Sequence, residues 1–403
     1  MWSTGFVDFL APMSPDEFVG EYYTRNRAVH IAGACGRFAH LMPWDELNRV
    51  FLQHRLEAPR LRLSLQDKLI PAEEFTTKAR LRSGAVVPKV NLDGLTRHLR
   101  AGATMVVDRI DEVHEPITSL VRMVEANLSE RINSNLYASW YTAPAFSTHW
   151  DSHDAIMIQV TGRKSWRLFE PQRRYPVYRD QHLYLSPPTG EPYWQGVLNP
   201  GDLLYVPRGW WHDAAPVGEP TIHVTISITR PNGIDLAKWV VEQLHEPEIA
   251  RTDLPRFGSV DERREYLTRF RNAIDSILQN DAVDRYLQEI DGNAPSIVRP
   301  SFPWTASPAC GPLPSDAWLH WLPPRPVRFE ESEDRVSFRA MGAQFGFARV
   351  AAPLIKGLAE QRRVRLDALC AQHSGISKSA IDKFVLELMG NGLIAISEKA
   401  DCI

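Results

Sequence analysis

The segment FSTHWDSHDAIMIQV places two histidines and two aspartates within six positions: His149, Asp151, His153 and Asp154. Imidazole nitrogens and carboxylate oxygens are the usual donors to divalent first-row metals. His149 and Asp151 are two apart, and residues i and i+2 of a strand share a face. At a strand start, such a pair aims one imidazole and one carboxylate into the same cavity. A further histidine from another strand completes a 2-His-1-carboxylate set, which leaves positions open on Fe(II). Two downstream segments offer it. GDLLYVPRGWWHDAAP supplies His212, 61 residues beyond Asp151, and TIHVTIS supplies His223 inside an alternating pattern. The pair alone also fits a hydrogen-bonded polar strand end, and either later histidine fits a core residue bonded to a carbonyl. Strand parity sets Asp154 on the face opposite His149; His153 and Asp154 are assigned to the rim or to the support of the site.

The elements that must position these residues are short strands. From about residue 133 to 231 the chain runs through SNLYASWYT, DAIMIQVTG, KSWRLFEP, GDLLYVP and TIHVTISIT, punctuated by Gly and Pro. Apolar runs at such spacing predict an antiparallel sandwich or barrel. Asn135 and Tyr137 share one strand face, Lys164, Trp166 and Leu168 a second, and His223, Thr225 and Ser227 a third. Each can present ligands and filler to one interior. A buried Lys164 needs an anion beside it to stay charged; the alternative is a surface lysine between Arg163 and Arg167.

The first 130 residues alternate short helices and strands. SPDEFVGEYYTRN and EPITSLVRMVEANLSERI predict helices, and AVHIAG and TMVVDRI predict buried strands. After RPNG the pattern is helical through IDLAKWVVEQLHE and VDERREYLTRFRNAIDSILQNDAVDRYLQEI, with apolar stripes on more than one side. A Pro-rich passage follows. The C-terminal RLDALCAQHSGISKSAIDKFVLELMGNGLIAIS predicts helix, turn, helix and strand, the order of a small winged-helix module.

Length and composition bound the function. A chain of 403 residues exceeds the usual single core. A hydrophobic content of 44%, a charged content of 24% and a net charge of -3 describe an ordinary globular protein with no overall field for nucleic acid or membrane. Cys35, Cys310, Cys370 and Cys402 form no CxxC pair, which argues against a disulfide scaffold or structural zinc. Neither a signal peptide nor a membrane span is predicted, so the expected setting is cytoplasmic.

THWDSHDAIMIQVTGRKSWRLFEP, followed by GDLLYVPRGWWHDA and HVTISI, resembles the JmjC-type cupin oxygenases, and within them the ribosomal oxygenase subgroup. The resemblance extends over nearly the whole chain. It implies an α+β fold: a double-stranded β-helix (jelly-roll, cupin) barrel, then a helical dimerisation region, then a C-terminal winged helix. The corresponding divisions are 1–232, 233–315 and 316–403. It implies Fe(II), 2-oxoglutarate as cosubstrate and O2, with hydroxylation of a side chain, at the β-carbon of Arg or His, in a protein or peptide. A ribosomal protein is the family-based substrate and a homodimer the implied assembly. By position, His149, Asp151 and His212 match the iron ligands, which demotes His223. Lys164 matches the residue that meets the distal carboxylate of 2-oxoglutarate. Asn135 and Ser227 match cosubstrate contacts and Tyr137 lines the pocket. The segment from His212 to Ser227 is about a residue shorter than the family's, which makes Thr225 the alternative to Ser227.

Other functions remain in view at this stage. They are hydroxylation of a peptide natural product precursor, N-methyl-lysine demethylation, a cupin that binds metal without oxygenase activity, and a winged-helix DNA-binding regulator. The last is disfavoured because Lys378 and Lys383 are offset by Asp382 and Glu387, leaving no basic excess for phosphates. Trp140, Tyr141, Trp150, Trp194, Trp210 and Trp211 are expected near the barrel mouth or in the core, and Asp213 or Asp154 to meet a basic target.

Overall fold

The computed structural model describes residues 2–398 except Ala143, Tyr184 and 307–311; Cys310 and Cys402 lie outside the described residues. The chain divides into two compact units, one running to Arg230 and the other beginning at Pro231.

In the first unit the strands are β1 (Val29–Ile31), β2 (Leu61–Leu65), β3 (Lys68–Leu69), β4 (Thr76–Arg80), β5 (Val86–Val90), β6 (Thr104–Asp108), β7 (Arg131–Ser139), β8 (Asp154–Thr161), β9 (Lys164–Phe169), β10 (Trp194–Leu198), β11 (Leu203–Val206), β12 (Trp211–Pro216) and β13 (Thr221–Thr229). A large sheet has the order β1-β11-β8-β13-β7-β6-β2-β3. A small sheet, β10-β9-β12, faces it, and β4-β5 form a separate hairpin. The helices are α1 (Thr4–Leu10), α2 (Pro15–Glu17), α3 (Trp44–Gln53), α4 (Leu92–Arg100) and α5 (Glu115–Leu128), and a π-helical turn spans Phe18–Tyr23.

Period-two alternation divides the large sheet's side chains between two environments. Ile132, Leu136 and Ala138 of β7, Ile156, Ile158 and Val160 of β8, and Ile222, Val224, Ile226 and Ile228 of β13 join the core shared with Ile117, Leu120, Val121 and Val124 of α5. The opposite faces look into the barrel. There Ala155 and Met157 meet Trp166 and Leu168 of β9. β13 is central, paired on both edges, so it is apolar outward and polar inward: His223, Thr225 and Ser227 are all buried. Gly162 turns β8 into β9 with φ 62, and a Cβ there would lie 2.1 Å from the Pro220 carbonyl oxygen. Only glycine fits both constraints.

Several sequence expectations shift. The helix expected over 115–132 stops at Leu128, where Ser129 turns left-handed (φ 55), and β7 begins at Arg131. The HxD pair is not on a strand: β8 starts only at Asp154, and His149 forms an isolated bridge with His212. β10 and β12 were not foreseen, because their residues lack a clean alternation.

The second unit opens with α6 (Gly233–Gln243), α7 (Glu248–Arg251), α8 (Val260–Ile277) and α9 (Ala282–Gly292). The helical pattern over 260–290 corresponds to two helices, α8 and α9. Trp239, Val240, Ile277 and Ala282 form their apolar cluster. Then come β14 (Trp318–Trp321), β15 (Glu330–Glu331), β16 (Arg335–Ala340), β17 (Ala343–Ala348), α10 (Ala352–Gln361), β18 (Arg363–Arg365), α11 (Leu366–Gln372), α12 (Lys378–Gly390) and β19 (Ile394–Ser397). Ser377 caps α12 by accepting from the Ala380 N–H. Among the described residues no helix is long and apolar enough to cross a membrane.

Candidate metal centre and anion pocket

The backbone joins the metal-site histidines directly. His149 N–H donates to the His212 carbonyl at 3.0 Å, and His212 N–H to that of His149 at 2.7 Å. Their rings lie 4.4 Å apart between centroids. Asp151 Oδ2 is 3.6 Å from His212 Nε2. Donor atoms of His149, Asp151 and His212 all fall within 4.8 Å of one another.

The tautomers are set by the backbone. His149 Nδ1 is 2.8 Å from the Ser147 carbonyl, and His212 Nδ1 is 3.1 Å from that of Trp210. A carbonyl only accepts, so each Nδ1 carries the proton and each Nε2 keeps a lone pair for a metal. Burial, and then His149 beside it, pushes the His212 pKa down to about 4, which keeps this lone pair available. Burial alone would raise the Asp151 carboxyl; His153, His212 and His149 outweigh it and hold its pKa below the usual value.

The loop bearing the pair is tied at several points. Asp67 accepts from the backbone N–H and hydroxyl of Ser147. Thr148 donates to Asp213 at 2.6 Å, and Asp213 also receives a bidentate pair of bonds from Arg167, at 3.0 and 2.8 Å. Gly209 N–H donates to the Asp151 carbonyl at 2.8 Å. Gly209 has φ 85, and a Cβ would come within 2.7 Å of Pro176.

Deeper in the barrel is a pocket rich in donors. Lys164 is buried, with Nζ 3.4 Å from His223 Nδ1. Desolvation lowers the Lys164 pKa to about 7. Burial and then Lys164 push His223 well below its ordinary value, so its neutral ring accepts from the ammonium. Tyr137 stacks on His223 at 4.7 Å between centroids, with planes 6° apart. Burial, then Asp151 and Asp108, raise its pKa to about 12, so Tyr137 stays a hydrogen-bond donor. Trp166 lies between His212 and His223, 6.3 and 5.6 Å from their centroids, and among the described residues its buried Nε1–H has no partner. Asn135 accepts from the Arg109 N–H at 3.0 Å and bonds Tyr137 with its side chain. Register sets Thr225 opposite Asn135, and Ser227 two pairs further along, opposite Asn133. An unneutralised buried cation and an orphan indole N–H form a seat that suits a carboxylate.

The structure therefore brings His149, Asp151 and His212 together and leaves His223 on the wall beside Lys164. Asp154 is neither rim nor site support. It is fully buried and accepts from Tyr205 Oη at 2.8 Å, Arg208 N–H at 2.9 Å and Arg230 at 3.3 Å. Asp213 is engaged by Arg167 and Thr148, which corrects the expectation that it awaits a basic target. Of the aromatics expected at the mouth, Trp210 and Trp211 are buried, Trp140 packs on Trp44, and Trp194 packs on His30; Tyr141 is exposed. Asp67 and Gly209, which hold the ligand loop, carry no signal in the sequence, because their partners are remote in it.

Residues 112–236 match the family model described as JmjC domain. The matched segment contains all three donors of the cluster, His149, Asp151 and His212. The fold is shared with YcfD, a ribosomal oxygenase from Escherichia coli solved with cobalt and succinic acid, which superposes with a TM-score of 0.60 at 18% identity, covering 96% of this chain and 99% of that one. YcfD with cobalt and 2-oxoglutarate gives 0.58, also at 18% identity and the same coverage. The bifunctional lysine-specific demethylase and histidyl-hydroxylase NO66 of Drosophila pseudoobscura pseudoobscura is 24% identical over 222 residues, 55% of this chain and 22% of that protein. Human ribosomal oxygenase 1 is 32% identical over 123 residues, 29% of this chain and 19% of its own length. The matched part spans a minor fraction of these curated relatives.

Proposed function

We propose that this protein is an Fe(II)- and 2-oxoglutarate-dependent oxygenase that hydroxylates a side chain of a protein or peptide. The observation that carries the reading is the pairing of a three-donor cluster, His149, Asp151 and His212, with a buried cationic seat at Lys164. His149 and His212 would hold the iron through Nε2 and Asp151 through a carboxylate oxygen. Lys164 would meet the far carboxylate of 2-oxoglutarate. Tyr137, Asn135 and Trp166 would supply further donors, with Thr225 preferred over Ser227 because it stands opposite Asn135. When bound, iron and cosubstrate together supply the O2 chemistry that converts a C–H bond to C–OH. The chain's task is positional. Backbone carbonyls fix both imidazoles, Asp67 and Asp213 fix the loop, and Met157, Trp166 and Leu168 keep water from the interior. No side chain is required as a general base.

The β-carbon of an Arg or His, in a ribosomal protein, is the proposed target, from the likeness to ribosomal oxygenases. The histidyl-hydroxylase named among the relatives supports the same chemistry. We also propose the working division 1–232, 233–315 and 316–403, with the middle helices forming a homodimer and the last segment a winged helix. On α12, Lys378 is neutralised by Asp382 at 2.7 Å, which supports packing rather than DNA reading. Widely spaced cysteines, with Cys35 and Cys370 free, support a cytoplasmic setting.

Anaerobic titration with Fe(II) and 2-oxoglutarate tests the assignment. A metal-to-ligand charge-transfer band is expected and should vanish in His149→Ala. Wild-type protein that binds both without the band, or neither, overturns the reading. Loss of iron in His223→Ala but not in His212→Ala would move the third ligand.

A further inference from the structure

The β4–β5 hairpin belongs to neither barrel sheet. Among the described residues its strands pair only with each other, from Thr76 opposite Val90 to Arg80 opposite Val86. Its tip is closed by the Gly84 N–H donating to the Leu81 carbonyl, with Gly84 at φ 87. A two-stranded ribbon is marginal alone, and this one is moored at its base. Asn91 N–H donates to the Phe75 carbonyl at 2.9 Å, and Gly94 lies so near Glu74 that a Cβ would be 2.3 Å from its carbonyl oxygen.

Residues 76–90 hold Lys78, Arg80, Arg82 and Lys89 and no Asp or Glu, a local charge of +4 on a chain of net charge -3. All four cations are exposed. Several arginines elsewhere in this unit are paired, Arg62 with Asp108, Arg163 with Glu219, Arg173 with Asp180. Among the described residues the hairpin cations have no such partner. Like charges held this close repel, so the ribbon gains from a polyanion.

The placement of the charges says which kind. Lys78 and Arg80 share one face, about 6.6 Å apart along the strand. Lys89 and its partner Thr77 take the other face, and Arg82 stands at the tip. Cations on both faces and the tip suit a ribbon entering a groove with anions on each wall, as a two-stranded ribbon does in a duplex. The hairpin carries no aromatic residue, so it has no stacking platform for single-stranded bases. Pro88 deprives β5 of an N–H, which weakens it as an edge for an added peptide strand. We propose that this hairpin binds duplex nucleic acid, with Lys78, Arg80, Arg82 and Lys89 on backbone phosphates and no reading of sequence. The proposal is independent of the oxygenase reading, and it concerns a different element from the C-terminal helices considered above.

The test is fluorescence anisotropy of the full chain with a labelled 20-bp RNA duplex, a DNA duplex of the same sequence and a polyglutamate peptide, in 50–200 mM KCl. Both strands of evidence should appear: duplex binding with a log–log salt slope of about -3 to -4, as four phosphate contacts require, and weak binding of the peptide. The triple variant Lys78→Ala/Arg80→Ala/Arg82→Ala should bind at least about 10-fold more weakly at 50 mM salt, with the slope shallower by roughly 3 units. Arg80→Lys should bind like the wild type. Circular dichroism checks that the variants are folded; should the triple variant fail, Arg82→Ala alone at the tip should remove about one unit of slope. No duplex binding at 50 mM salt, an unchanged slope in the variants, or polyglutamate binding as tight as duplex binding overturns the proposal. The preference between the two duplexes identifies the source of the phosphates.

Discussion

Lys164 Nζ and His223 Nδ1 lie 3.4 Å apart inside the barrel, and among the described residues no carboxylate forms an ion pair with the lysine. Burial holds the ammonium near the edge of deprotonation, at about pH 7. A bound dicarboxylate favours the charged form and raises this pKa, so binding takes up a proton above pH 7. The affinity for 2-oxoglutarate should be flat below pH 7 and fall by up to about tenfold per pH unit above it. Titrating the Mn(II)-loaded protein between pH 6 and 9 measures this, and Lys164→Met should both weaken binding and flatten the profile. The same depressed pKa makes the lysine a cost to folding that is full below pH 7 and is relieved as pH rises towards the unfolded value.

Trp166 offers a buried N–H with no acceptor among the described residues. Trp166→Phe keeps most of the ring and removes the donor. The cosubstrate Kd should rise by about 3- to 10-fold, the worth of one hydrogen bond, with little change in metal affinity. Equal affinity in variant and wild type would show that the indole only fills space.

Asp67 acts on the metal at one remove, through the Ser147 backbone that also receives the His149 Nδ1 proton. Asp67→Ala should weaken Mn(II) binding by about 10- to 100-fold, in the range of lost supporting bonds at metal sites. Electron paramagnetic resonance of free Mn(II) reads this directly. Asp67→Asn, which keeps one acceptor, should restore part of it.

Asp154 separates fold from site. Its carboxylate neutralises Arg230 and caps Arg208 and Tyr205 in the core. Asp154→Ala leaves an arginine without its partner and should cost about 3–5 kcal/mol in chemical denaturation. Protein that remains folded should still bind one equivalent of metal. A specific loss of metal with stability intact would return Asp154 to the ligand set.

The sequence by itself determined the inward faces of β7, β9 and β13, because alternation has a period of two and needs no knowledge of neighbours. It also marked His149 and Asp151 by their spacing, yet they sit on a loop rather than a strand, and their convergence comes from the backbone bridge to His212. Strand pattern left His212 and His223 open and only the family resemblance ranked them; tertiary structure supplies the physical reason, since both occupy buried strands and His212 is the one brought within reach of Asp151. It turned Asp154 into a core anchor and Asp213 into a loop tie. It also revealed Asp67 and Gly209. Such roles depend on contacts between residues 46 to 80 positions apart, and no local periodicity encodes them.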